Sequence, residues 1–199
     1  MPYAFDPTAT CPRWDQFVRE VFPNDDGQAE LIQEWFGYCL THDTSLQKFC
    51  LWVGVGCNGK GTAWDVLRRL VGDEDARAFT LHQLARDFGL APLAHRMVAY
   101  CGEAELKGSQ DRSRILETLK SITGEDPLYC DVKNQEGLTL TLPTRLVIAC
   151  NELPTLYETT GALSRRMLLM RFDQCFQGRE DFDLRASCWR NCQALRIGQ

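Results

Sequence analysis

The sequence predicts an α/β protein, with a parallel sheet flanked by helices, a β-hairpin insertion and an N-terminal helical cap. Three apolar runs, Phe49 to Val53, Arg96 to Cys101 and Leu146 to Cys150, are continuous rather than alternating, as strands buried on both faces should be. The first runs straight into a glycine-rich loop, Gly54 to Gly61, and then into a helical pattern, Thr62 to Leu70, with Ala63, Val66, Leu67 and Leu70 on one face. A chain of 199 residues with 44% hydrophobic content can bury a core around such a sheet.

The N-terminal part reads as two helices. Trp14, Phe17, Val18, Val21 and Phe22 share one face, Leu31, Ile32, Trp35, Phe36 and Leu40 share another, and Pro23 to Gly27 breaks the pattern. These aromatics are expected to be core packing. Residues 1–45 form the cap and 46–184 the core. Residues 185–199 are set apart as an aberrant tail: RASCWRNCQALRIGQ is rich in Arg, Cys and Trp and lacks helical periodicity, and a shifted reading frame near Leu184 would restore an amphipathic pattern. Sequencing the locus checks that reading.

Glycine is placed where the backbone needs unusual torsions or where a ligand comes close. Strand, glycine-rich loop and helix together make a phosphate cradle. In Gly54, four residues, Gly59 and Lys60, the loop amides and the helix N-terminus face phosphate oxygens while Lys60 neutralises them. Gly54, Gly56, Asn58, Gly59, Lys60, Gly61 and Thr62 are the candidate nucleotide-binding residues. Gly61 stands where Ser or Thr ordinarily ligates Mg²⁺; the hydroxyl comes one place later, at Thr62, suited to the α-phosphate. An acid elsewhere must then help to hold the metal.

The second apolar run ends in Gly102-Glu103-Ala104-Glu105. A carboxylate at the end of a strand beside the glycine-loop strand can hold Mg²⁺ or polarise an attacking water, with Glu103 the first candidate and Glu105 the second. The third run, lying between the other two, ends at Asn151, which suits a γ-phosphate contact and equally a turn before Pro154. Arg165 and Arg166 precede a fourth apolar strand, Met167 to Met170, and suit an arginine finger supplied across a subunit boundary. Between the acid and Asn151, two stretches flank Lys133-Asn134-Gln135-Glu136-Gly137, a hairpin with a polar tip.

In this order the motifs resemble superfamily 3 helicases, and more closely the C-terminal part of phage and poxvirus-type primase-helicases. The resemblance is carried by Cys11-Pro12-Arg13-Trp14, Gln33-Glu34-Trp35-Phe36-Gly37-Tyr38, Asn58-Gly59-Lys60-Gly61-Thr62, Phe88-Gly89-Leu90-Ala91-Pro92-Leu93, Ile122-Thr123-Gly124-Glu125-Asp126, Asn151-Glu152-Leu153-Pro154 and Gly178-Arg179-Glu180-Asp181. It implies a P-loop ATPase that uses ATP and Mg²⁺ as a homohexamer on single-stranded DNA, in phage or prophage replication in a bacterial cytoplasm. Lys60 would be the phosphate lysine, Glu103 the catalytic acid, Asn151 the sensor and Arg166 the finger acting in trans. Mg²⁺ would be held through Glu103 and Thr62, and Lys133 would track DNA from the hairpin tip. A primase domain would be missing, and the chain would be a helicase core cut at both ends.

Composition narrows this reading. The formal net charge of −5 does not advertise nucleic acid, so DNA contact must come from local cations repeated around a ring. The sequence contains no long apolar run and no charged-then-apolar leader, which predicts a soluble chain. Ten cysteines, with no C-x-x-C pair, are expected to be reduced small hydrophobes, Cys188 and Cys192 included. Two other readings stay open. A remnant would fold and at most bind ATP; a small-molecule nucleotide kinase would need an arginine-rich lid, which residues 71–96 do not supply.

Overall fold

The structure is a computed structural model that describes residues 10–104, 110–131, 136–153, 161–179, 181 and 183–190. Helices α1 (Pro12–Val21) and α2 (Asp26–Cys39) come first. Pro12 suits the first turn of α1, where its missing N–H costs nothing, and the Asp25 carboxylate caps α2 by accepting from Gln28 N at 3.1 Å. Strand β1 (Phe49–Val53) then leads to helix α3 (Lys60–Val71). That helix starts two residues before the predicted Thr62. Gly59, at φ +94°, turns the loop sharply enough for Lys60 to be already helical.

The chain continues through β2 (Ala76–Ala78), two short 3-10 turns, β3 (Val98–Cys101) and α4 (Arg112–Gly124). Strands β4 (Leu128–Cys130) and β5 (Leu138–Leu140) pair antiparallel as the predicted hairpin, and its tip residue Lys133 lies outside the described residues. Strand β6 (Arg145–Cys150), the short helix α5 (Ala162–Arg166), β7 (Met167–Arg171) and helix α6 (Leu184–Arg190) complete the order.

Five strands form one parallel sheet in the order β2-β3-β6-β1-β7. Strand β6 therefore lies between the other two long apolar strands, as expected for the strand ending at Asn151. The companion expectation, that the strand before Glu103 lies beside the glycine-loop strand, is corrected: β6 separates β3 from β1. All six β6 residues are buried, and a strand so apolar on both faces belongs at the centre.

Side chains alternate between two cores. Cys50 and Trp52 of β1 and Val147 and Ala149 of β6 face a layer built with α1, α2 and α3, where Phe17, Ile32, Trp35 and Leu67 are almost fully buried. Phe49 and Leu51, with Leu146 and Ile148, face the other side, against Ile115 and Leu119 of α4. The cap helices thus share a core with the sheet.

Residues 184–190 correct the expectation that the tail lacks helical periodicity. They form α6, which packs against α1 and α3, with Cys188 buried in the first core. Leu184 and Cys188, four residues apart, lie on one helix face, and a free cysteine buries as a small hydrophobe would. Residues 191–199, Cys192 among them, lie outside the described residues. Among the described residues no helix is long and apolar enough to cross a membrane, and no three metal-ligating side chains cluster.

Candidate functional site

In a parallel sheet all strands point the same way, so the ends of β1, β3 and β6 open together on one edge. There a cavity of about 620 Å³ is lined by Gly56, Asn58, Gly59, Lys60, Gly61 and Thr62 from the loop and α3, Glu103 from the end of β3, and Asn151 from the end of β6. Residues far apart in sequence meet because each follows a strand. Glu105 lies outside the described residues.

The loop is tightly built. Gly56 and Gly59 have φ of +23° and +94°. Gly54 is glycine for want of room: a Cβ there would sit 2.2 Å from the Phe172 carbonyl oxygen. The Gly54 amide donates to Cys150 O at 3.1 Å, which joins the start of the loop to the end of β6. At the first turn of α3, Lys60 is 8% exposed and Thr62 9%. The Lys60 ammonium donates to the Gly54 carbonyl and, at 3.2 Å, to Asn58 Oδ1. Burial holds its pKa below the ordinary lysine value, because losing water penalises the charged form. Burial also pushes the Cys150 thiol up to about 11, offset in part by Lys60 nearby. A shielded cation at a helix N-terminus, beside glycines with left-handed torsions, fits a phosphate group. The Thr62 hydroxyl and the Glu103 carboxylate, both oxygen donors lining the cavity, are the groups that would hold Mg²⁺ through the nucleotide.

Sequence reasoning missed the rest of the wall. Arg13, Phe17 and Glu20 from α1, Tyr100 from β3, and Phe176, Arg179, Asp181, Leu184 and Arg185 from the C-terminal segment line the same cavity. Phe17 was expected to be core packing, yet it also faces the cavity. Arg13 reaches Glu20 and Asp181, each at 3.5 Å, and so spans from α1 to the C-terminal segment. Burial pushes the Tyr100 hydroxyl up to about 12, and its ring stacks on Trp64 at 4.6 Å. The signals were present in Cys11-Pro12-Arg13-Trp14 and around Arg179, but only packing places these stretches opposite the loop.

Arg166 is elsewhere. It precedes β7, at the sheet edge opposite the cavity, where its Nη1 donates at 2.8 Å to the Lys120 carbonyl near the end of α4, which also accepts from Thr123 Oγ1 at 3.2 Å. Arg165, beside it, is exposed, and its carbonyl accepts from Lys48 Nζ. The five residues of β7 span roughly 16 Å at the usual strand rise. Arg166 therefore does not reach the cavity of its own chain.

A family model described as "Family of unknown function (DUF5906)" matches residues 52–166, more than half of the chain. The chain belongs to this family. The matched region runs from β1 to α5 and takes in Lys60, Glu103, Asn151 and Arg166. Among curated proteins, the "Putative helicase L207/L206" of Acanthamoeba polyphaga mimivirus is 25% identical over 161 residues, covering 78% of this chain and 16% of its own length. Among solved structures, an apo form of the NrS-1 C-terminal region superposes with a TM-score of 0.76 at 16% identity, over 96% of this chain and 45% of that one. A JCV helicase superposes with a TM-score of 0.55 at 18% identity, over 82% of this chain and 46% of that one. The chain thus spans less than half the length of each of these proteins. The fold, a parallel sheet flanked by helices, is shared with the NrS-1 C-terminal region and with JCV helicase.

Proposed function

We propose that this chain is the ATP-hydrolysing core of a DNA helicase that works as a homohexameric ring on single-stranded DNA, in phage or prophage replication in a bacterial cytoplasm. One observation carries the reading: the cavity gathers Lys60, Glu103 and Asn151, while Arg166 sits on the opposite sheet edge. Phosphoryl transfer is helped by a guanidinium on the transferring group, and Arg166 can supply one only to the cavity of a neighbouring subunit. A ring of identical subunits supplies such a contact at every interface.

In this reading Lys60 and the loop amides bind the β- and γ-phosphates, and bound Mg²⁺ supplies charge neutralisation there. Glu103 accepts the proton of the attacking water, Asn151 orients that water against the γ-phosphate, and Arg166 of a neighbour stabilises the charge that develops. Lys133, at the hairpin tip, contacts the DNA backbone; the net charge of −5 means that such cations act as a set around the ring. Residues 1–45 serve as a cap on the 46–184 core, and a primase domain acts with it. The similarity to proteins named helicases supports this reading.

The test is size-exclusion chromatography with light scattering, with and without ATP and magnesium, alongside ATP hydrolysis with and without single-stranded DNA. A hexamer whose turnover rises with DNA and vanishes in Lys60→Ala is the expected result. A monomer that binds ATP without hydrolysing it would refute the motor and leave a nucleotide-binding domain.

A further inference from the structure

Asn58 is 3% exposed, and both ends of its amide are engaged. Its Oδ1 accepts from Lys60 Nζ at 3.2 Å, and its Nδ2 donates to the Phe172 carbonyl at 3.1 Å. The Lys60 ammonium, which also donates to the Gly54 carbonyl, is thereby turned back onto its own loop. Both acceptors are neutral. Charged phosphate oxygens bind an ammonium more strongly than amide oxygens do, so an arriving phosphate can take the lysine from them.

Phe172 marks the end of the strand that begins just after Arg165 and Arg166. Its amide donates to Val53 O at 2.7 Å, and its ring is 1% exposed, edge-on to Phe22 at 5.2 Å. A Cβ on Gly54 would lie 2.3 Å from Asn58 Nδ2, so loop, amide and strand end are in direct contact. One side chain therefore touches both the phosphate lysine and the strand that starts at the arginines.

We propose that Asn58 is a positioning residue that parks Lys60 in the nucleotide-free cradle and ties the loop to the end of β7, so that phosphate binding must draw the lysine off its amide. The proposal rests on reading the loop as a phosphate cradle. It gives Asn58 a role distinct from the loop amides, which would bind phosphate directly, and it makes the Phe172 contact change with nucleotide.

Two variants separate this role from simple space filling. Asn58→Asp keeps the shape and the acceptor, but offers Lys60 a carboxylate and removes the donor to Phe172. Asn58→Ala removes both groups. Binding of ATP with Mg²⁺ is measured by isothermal titration calorimetry on the full chain. Asn58→Asp is expected to weaken binding by roughly tenfold or more, because a carboxylate retains the ammonium, and Asn58→Ala by less than about threefold. A residue that only filled space would give the reverse order, since Asp is the smaller change of shape. Asn58→Ala binding no better than Asn58→Asp, or both within about twofold of the parent, overturns the proposal.

Lys60→Ala is the control for the underlying reading. If it loses ATP binding while the two Asn58 variants rank in the wrong order, the cradle stands and the proposal falls. If Lys60→Ala binds ATP like the parent, the cradle reading falls and the proposal with it. Should either Asn58 variant fail to fold, amide NMR spectra of the parent chain decide the matter. The Asn58 side-chain amide signal is expected to move on saturation with ADP, and a signal that stays in place overturns the proposal.

Discussion

Substituting Gly54 by alanine puts the loop geometry to a direct test. The added Cβ would lie 2.2 Å from the Phe172 carbonyl oxygen and 2.3 Å from Asn58 Nδ2. Neither side can yield cheaply: the Gly54 amide is held by Cys150 O at 3.1 Å, and the Phe172 amide by Val53 O at 2.7 Å. Relief requires the loop to lift off the strand end, an overpacking cost of about 1–3 kcal/mol. Losing the Asn58–Phe172 hydrogen bond adds about 0.5–1.5 kcal/mol. Urea unfolding of Gly54→Ala should therefore show a loss of about 2–4 kcal/mol, with a lowered midpoint and an unchanged slope. Gly37→Ala supplies the contrast. Gly37 is exposed within α2, and a Cβ there meets nothing within 4 Å, so alanine should stabilise by about 0.5–1 kcal/mol through better helix propensity. A Gly54→Ala variant within about 0.5 kcal/mol of the parent would refute the packing argument.

Other outcomes follow from the same geometry. In the proposed cradle Lys60 would bind phosphate in its protonated form, and burial holds its pKa below the ordinary lysine value. ATP affinity should thus be full near neutral pH and fall as pH rises through that lowered value; a pH titration of binding from neutral upward checks this, and Lys60→Arg should remove the decline. Glu103→Gln should keep ATP binding and lose about 10²–10⁴-fold in turnover, read from steady-state kinetics. Arg166→Ala should lower stability by about 0.5–1.5 kcal/mol because the hydrogen bond that joins it to the Lys120 carbonyl is lost, whereas Arg165→Ala, at an exposed side chain, should change urea stability by less than about 0.5 kcal/mol. Cys188→Ser places a hydroxyl in the core and should cost about 1–3 kcal/mol in urea if α6 docks as described; no change would mean that it does not.

Much of this protein is decided locally, and those parts were legible in the sequence. The continuous apolar runs make β1, β3 and β6 buried parallel strands wherever they end up. Gly59 and Lys60 place a cation at the start of a helix by backbone torsion alone, and Asp25 caps α2 from three residues away. Tertiary structure decided what depends on neighbours. The position of β6 between β3 and β1 is settled by which strand is most completely buried. The alternate side chains of the strands are sorted into two cores only once helices cover both faces. The far wall of the cavity, from Arg13 to Arg185, exists because α1 and α6 pack together over the loop. A seven-residue helix with one buried cysteine carries too weak a periodic signal to be found from sequence, and it forms because α1 and α3 offer Leu184 and Cys188 a place to bury. The separation of Arg166 from its own cavity follows from strand direction, since β7 runs parallel to β1 from one edge of the sheet to the other.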